Sequence, residues 1–518
     1  MSAAAPSIIQ FKGKSNPAAP WSIDSTPTAT TELGWMGSLR DLPREHGFEP
    51  LRMEGALPGE LNGTLYRTGP SLFSSFGKPY GHLFDGDGAV SAVRFANGAA
   101  LGAAKLVQGE GLVQERRAGH QLFGGYGTNM PGLKRFLPLS TSSRVKNTAN
   151  TSILVWGERV FALNESSMPT EIAPSDLATL GEQDLGMVVE SFSAHPHQVP
   201  SRRAIYNFGL RYGRKIILDV YELADSGRSR KLTEVPLERT TFIHDFVATE
   251  KHLVFFAPPL RYNPLSLLFG LDTLNGAMRW TPEQGTDVIV VPIDDPQRVT
   301  RFTIDAFYQW HFLNAYERGN EIVVDIVRFP NFDSNKWFGE LIEPHPMSPY
   351  VAGELWRVTL DPSARRASSE PRWAHPCEFP RVAPAVESTR HTIGWLAAYA
   401  ASAGKSVDHL PDAVAKVEVE TGRDSLWVSS GSVVSEPIFV PRPGNGAAHA
   451  EDDGWVLALV YDPAADASNV TVLDARDLSA GPLARAWFDH HVPPTFHGAF
   501  APGADHHKPT GAKKAIPR

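Results

Sequence analysis

The sequence predicts an all-β chain closed into a propeller, and three observations predict it. Short runs of β-branched and aromatic residues recur from about residue 60 to residue 490, turn signals separate them, and helical periodicity is scarce. In chain order the runs are TSILVWGERVFALNE, AIYNFGLRYG, RKIILDVYEL, KHLVFFAPP, DVIVVPI, NEIVVDIVRF, GELWRVTLDP, AVAKVEVETG, GWVLALVYDP and NVTVLDA. WGER, DPSA, ETGRD and DPAADASN break them, and several pairs are close enough to form hairpins. Only 175–186, 263–278 and 390–402 read as helices. So many antiparallel strands must close or stack to remove their edges, and radial blades do so at this length. No strict repeat is visible, so blade number does not follow from periodicity. Residues 1–35, rich in Ala, Ser, Thr and Pro, are expected to form an extended arm. Residues 36–500 then make one propeller domain and 501–518 a tail.

Composition narrows the function classes. Of 518 residues 42% are hydrophobic, ample for a core, and 44 Gly and 42 Pro are spread along the chain as turn formers. The net charge of −8 comes without a dense Lys/Arg stripe, which argues against a nucleic-acid partner. The lone Cys377 excludes an internal disulfide or a thiolate cluster and fits a reducing compartment. The N-terminus has no basic segment ahead of an apolar run of signal-peptide length, so the expected location is cytoplasmic. One segment, PPLRYNPLSLLFGLDTLNGAMRW (258–280), is apolar and leucine-rich. It is a candidate for peripheral membrane contact, weighed equally against a helix or loop packed on the body of the fold.

Four histidines lie in distinctive phrases at strand ends: His195 in SAHPHQVP, His244 in FIHDFVATEKHLVFF, His311 in QWHFLNAYERG and His497 in HVPPTFHGAF. Any one of the chain's 18 histidines is more often structural than ligating. The four contexts together point instead to one metal site, because inner strands of successive blades converge on a common axis. A nitrogen-only ligand set favours a transition metal over calcium or magnesium. Four imidazoles leave two neighbouring positions of an octahedral ion open, which suits Fe(II) better than a closed structural zinc site. Ligating imidazoles need acceptors for their second N–H. The candidates are Glu165 in FALNESSMPTEI, Glu378 in CEFPRVAP and Glu436 in VVSEPIFVPRPG, each set beside proline or aromatic residues.

These phrases, with LNGTLYRTGP (61–70), HLFDGDGAV (82–90), KNTANT (146–151) and SEPIFVPRPG followed by EDDGWVLALVYDP, resemble those of the carotenoid cleavage oxygenase family over nearly the whole chain. The likeness is greatest to its bacterial apocarotenoid 15,15'-cleaving members. It implies a seven-bladed propeller with a dome of loops and short helices over its top face, and ferrous iron held by His195, His244, His311 and His497. It further implies that Glu165 pairs with His244, Glu378 with His311 and Glu436 with His497, leaving His195 without a carboxylate. The implied reaction consumes O2 and cleaves one C=C bond of an apolar polyene into two carbonyl products, with no classical acid or base. Phe84 and Trp310 fall where the family places tunnel walls. Members that cleave stilbenes or phenylpropenes carry a lysine where this chain has Asn164, yet Tyr126 resembles a tyrosine they use. The first reading is therefore an apocarotenoid substrate and the second a shorter aromatic alkene. A non-catalytic propeller scaffold would leave the histidines idle. A glycoside-cleaving propeller would need carboxylates such as Asp85 and Asp87 across a groove, whereas DGDG reads better as a tight turn whose glycines take positive φ.

Overall fold

The computed structural model describes residues 34–136, 145–213, 215–342, 348–400, 404–444 and 450–503. The expected arm up to residue 33 and the tail from residue 504 lie outside the described residues. Seven antiparallel sheets form the blades of the propeller. The first blade runs from the innermost strand Gly498–Pro502 through Gly63–Leu72, Asp87–Ala96 and Ala99–Leu106 to His46–Pro50. Blades two to six begin at the axis with Ser152–Trp156, His197–Val199, Phe246–Ala248, Phe312–Arg318 and Cys377–Arg381. The seventh has Ile438–Pro441 innermost and Arg52–Gly55 at its outer edge. These inner strands pack on their neighbours around the ring.

Chain ends close the ring. Arg52 pairs with Trp487 in the seventh blade, while Gly63 of the first blade pairs with Pro502. The last strand thus continues two residues past residue 500, because strand partners rather than local composition set its end. Depth in a blade dictates composition. Gly454–Asp462 is buried over its first eight residues and reads GWVLALVYD, apolar on both faces because neighbouring blades cover both. The outer strand Arg366–Trp373 reads RASSEPRW and is largely exposed. Between the third and fourth blades, Phe208, Val220, Phe246, Phe255 and Ile289 form a continuous apolar layer.

All ten strand-like runs form strands, but the helical expectations fare less well. Residues 175–186 hold an edge strand, Thr179–Glu182, and Leu177 and Leu185 carry left-handed backbone at φ 61° and 50°, which breaks a helix. Residues 393–398, within the expected helix 390–402, form a wholly buried strand between Cys377–Arg381 and Ala413–Glu418. Residues 401 and 402 lie outside the described set. Helix-favouring alanines are overridden there by sheet pairing on both sides. Segment 263–278 splits into two short helices, Pro264–Leu268 and Leu274–Ala277. The DGDG glycines do not have positive φ either. They serve close packing: a Cβ on Gly86 would lie 2.7 Å from Pro70 Cβ, and one on Gly88 2.5 Å from the Ala149 carbonyl oxygen.

Candidate metal centre

Each of the four histidines stands one or two residues before the innermost strand of its blade: His195 the third, His244 the fourth, His311 the fifth and His497 the first. That position aims four side chains from four blades at the axis. Ring centroids of His195 lie 4.4, 5.1 and 4.8 Å from those of His244, His311 and His497. His311 Nε2 is 3.3 Å from His244 Nε2 and 3.0 Å from His497 Nε2. Ligand atoms of His195, His244 and His311 all fall within 4.8 Å of one another.

The outward nitrogens decide what the inward ones can do. His311 Nδ1 donates to Glu378 Oε2 at 2.5 Å and His497 Nδ1 to Glu436 Oε1 at 2.8 Å, while His244 Nδ1 contacts the Glu165 carboxylate. With Nδ1 as donor, each neutral ring presents a bare Nε2 lone pair inward, and three such lone pairs facing one another repel unless a cation lies among them. Among the described residues His195 has no carboxylate partner, and its Nε2 is buried without a hydrogen bond. The residues therefore fit a bound metal ion. Electrostatics agree for His195 and His497, whereas at His311 burial is outweighed by the Glu378 carboxylate, which raises it. Burial, then the neighbouring imidazoles, push His195 well below the usual histidine range, and burial pushes His497 down to about 3, so both are ready-made neutral ligands.

Two cations that the sequence reading missed hold Glu436. Arg381 Nε donates to Oε1 at 2.7 Å, and Arg67 lies 3.8 Å from Oε2, where the Gly498 N–H also donates at 2.9 Å. Burial opposes the charge, yet Arg381, His497 and Arg67 keep this carboxyl well below its ordinary range. No local pattern marks either arginine; each reaches Glu436 only through the ring. Phe379 was also missed, although it directly follows Glu378. It stacks on His311 at 5.4 Å with backbone at φ 52°, a strained conformation held in place beside the site. Glu436→Gln keeps one acceptor but places an amide among N–H donors. We expect metal affinity to fall about 10- to 100-fold, read by competition with a chelator; unchanged affinity would count against this role.

Above the histidines a cavity of about 1080 Å³ opens, lined by Phe84, Tyr126, Trp310, Phe338, Phe379 and Phe496 among others. Phe84 and Trp310 meet edge to face at 5.7 Å, and Trp310 meets His244 at 4.8 Å. Asn164 also lines it, its Nδ2 donating to Thr148 Oγ1 at 2.8 Å. Tyr126 Oη donates to Asn335 Oδ1 at 2.9 Å, and burial raises its pKa far above the phenol range. The former glycosidase candidates are committed elsewhere: Asp87 to Lys146 at 2.9 Å, and Asp85 to the Gly127 N–H and the Thr128 hydroxyl.

Seven blades, an axial ring of imidazoles tethered to buried carboxylates and an apolar chamber above it define the class: the propeller oxygenases that cleave carotenoids and related alkenes. The family described as retinal pigment epithelial membrane protein (RPE65) matches residues 39–502, and the chain belongs to that family. Apocarotenoid-15,15'-oxygenase of Synechocystis is 32% identical over 500 residues, covering 92% of this chain and 99% of the relative. Lignostilbene-alpha,beta-dioxygenase isozyme III of Sphingomonas paucimobilis is 27% identical over 90% of this chain and 96% of its own length. The crystal structure of cobalt-substituted Synechocystis apocarotenoid oxygenase superposes with a TM-score of 0.81 at 31% identity, covering 91% of this chain and 98% of that one.

Proposed function

We propose that this protein is a non-haem iron(II) dioxygenase that cleaves one C=C bond of an apocarotenoid with O2 to give two carbonyl products. The observation that carries this reading is the convergence of His195, His244, His311 and His497, the last three carboxylate-tethered and lining a large apolar cavity. These four residues would hold the ion, and Glu165, Glu378 and Glu436 would hold the rings in the ligating tautomer. When bound, ferrous iron supplies the one-electron chemistry that lets dioxygen react with a closed-shell alkene. The protein's share is placement and dryness. Phe84, Trp310, Phe379 and Phe496 surround a polyene with apolar surface and exclude water, and no side chain need transfer a proton.

Cavity size and chemistry favour a polyene over a phenolic alkene. About 1080 Å³ lies just above the roughly 300–1,000 Å³ that encloses drug-sized ligands. The Tyr126 proton is committed to Asn335 and the two Asn164 amide hydrogens to Thr148 and Asn150, so neither group is free to donate to a phenol. Segment 258–280 supports peripheral contact with a membrane from which an insoluble substrate is drawn. Leu265, Phe269 and Leu271 there are 61%, 47% and 67% exposed, beside the cavity-lining Leu267 and Leu274. Among the described residues no helix is long and apolar enough to cross a membrane. The single cysteine, Cys377, is buried and unpaired, in keeping with a cytoplasmic location. Fe(II)-loaded protein incubated under air with apocarotenals, a C40 carotenoid, resveratrol and isoeugenol, with aldehydes identified by mass spectrometry, tests the reading. Apocarotenal cleavage is expected; turnover of the phenols alone would replace it with the stilbene or phenylpropene reading.

A further inference from the structure

A second pair of histidines meets at the seam where the ring closes. His46 opens the outer strand of the first blade, paired with Ala104, and His490 lies in the crossover that leaves the seventh blade after Trp487. Both are buried, at 8% and 9% exposure. Their Nε2 atoms are 3.0 Å apart, the same separation as His311 and His497 at the axial centre.

With both rings neutral, no hydrogen lies between the two facing nitrogens, and a shared proton or a metal ion must join them. His46 Nδ1 lies 2.9 Å from the Gly47 carbonyl oxygen, and His490 Nδ1 lies 2.7 Å from that of His491. A carbonyl oxygen only accepts, so in both rings Nδ1 carries a proton, and in the neutral ring Nε2 is then a lone pair. Two lone pairs then face each other at hydrogen-bonding distance in a buried place. The Glu49 carboxylate sits 3.4 Å behind His46 Nδ1, as the glutamates do behind the axial histidines, and Asp489 Oδ1 lies 4.0 Å from His490 Nε2 on the solvent side. Arg44 binds both of these carboxylates, so the rim sets one positive charge against two negative ones, a net attraction for a cation.

We propose that His46 and His490 form a second metal site that clamps the closed ring. Two nitrogens about 2.1 Å from one ion and at right angles to each other are about 3.0 Å apart, whereas tetrahedral ligands stand wider, near 3.4 Å. The site therefore fits a divalent ion with octahedral or tetragonal preference, of the Ni2+ or Cu2+ kind, rather than structural zinc. Water completes its shell. Bound there, the ion ties the outer edge of the first blade to the crossover that leads, seven residues on, to His497. Ring closure and axial geometry are thereby joined.

Ni2+ is the probe. Metal-free protein at pH 7.5, dialysed against Ni2+ and assayed for bound nickel, should retain one ion per chain more than His490→Gln, and Ni2+ should raise the thermal midpoint of the wild type more than that of the variant. Glutamine supplies a donor to His46 Nε2, so the variant keeps its fold while losing the ligand; His46→Gln repeats the test from the other side of the seam. Should wild type and both variants bind equal nickel with equal thermal shifts, the pair shares a proton only and the proposal is overturned.

Discussion

His311→Ala is expected to leave the protein without retained iron and without measurable turnover. His311 stands between two other imidazoles of the set, 3.3 Å from His244 Nε2 and 3.0 Å from His497 Nε2, so its loss opens the middle of the set. The substitution also takes from Glu378, a buried carboxylate, the His311 N–H that its Oε2 accepts at 2.5 Å, leaving it the Phe379 N–H. A lost hydrogen bond to a buried charged group costs about 1.5–3 kcal/mol, so a drop in stability should accompany the loss of metal. His311→Ala combined with Glu378→Gln separates the two effects: stability should recover while iron binding should not. Iron per chain by elemental analysis and aldehyde yield decide the matter. Wild-type iron content and turnover in His311→Ala would remove the axial centre from the mechanism.

The largest effect on stability alone is expected from Lys146→Met. The Lys146 ammonium is buried and donates to Asp87 Oδ2 at 2.9 Å, Glu115 Oε2 at 2.8 Å and Tyr80 Oη at 2.8 Å. Burial opposes this charge, but Asp87 and the groups around it hold the lysine protonated. Methionine keeps the apolar stem and leaves two buried carboxylates without their cation, for a loss of about 3–5 kcal/mol. The consequence reaches the cavity. Glu115 lies in the helix Glu110–Ala118, and its Oε1 accepts from the N–H groups of Leu122 and Phe123, just ahead of the wall residues Gly124–Tyr126. Denaturant unfolding measures the cost, and amide exchange at residues 122–126 should rise with it. A change below about 1 kcal/mol would show that the cluster is already discharged by another route.

What could be read in advance was read from local phrases. His195, His244, His311 and His497 stand at the thresholds of apolar runs, and a strand start on an inner edge leaves little choice of direction for the side chain. Glu378 and Glu436 were legible for the same reason: each sits at or just before an inner strand, in surroundings too apolar for a solvated carboxylate. Strand-forming runs were legible because blades bury central strands on both faces. The failures share a cause as well. Ile393–Ala398 is a strand because two neighbours pair with it, and its alanines say nothing of them. Arg67 and Arg381 act on Glu436 across 369 and 55 residues of chain, with no spacing to betray them.

The amino-acid order alone determined the β architecture, the four imidazoles and the carboxylates meant for them, because alternation, burial and ligand type are properties of short stretches. Tertiary structure alone decided how the ring closes, which cations steady Glu436, that Tyr126 gives its proton to Asn335, and that His46 meets His490 across the seam. Each of these joins residues from different blades or from the dome. Such meetings depend on the accumulated twist and packing of seven sheets, a sum over the whole fold that no local window contains.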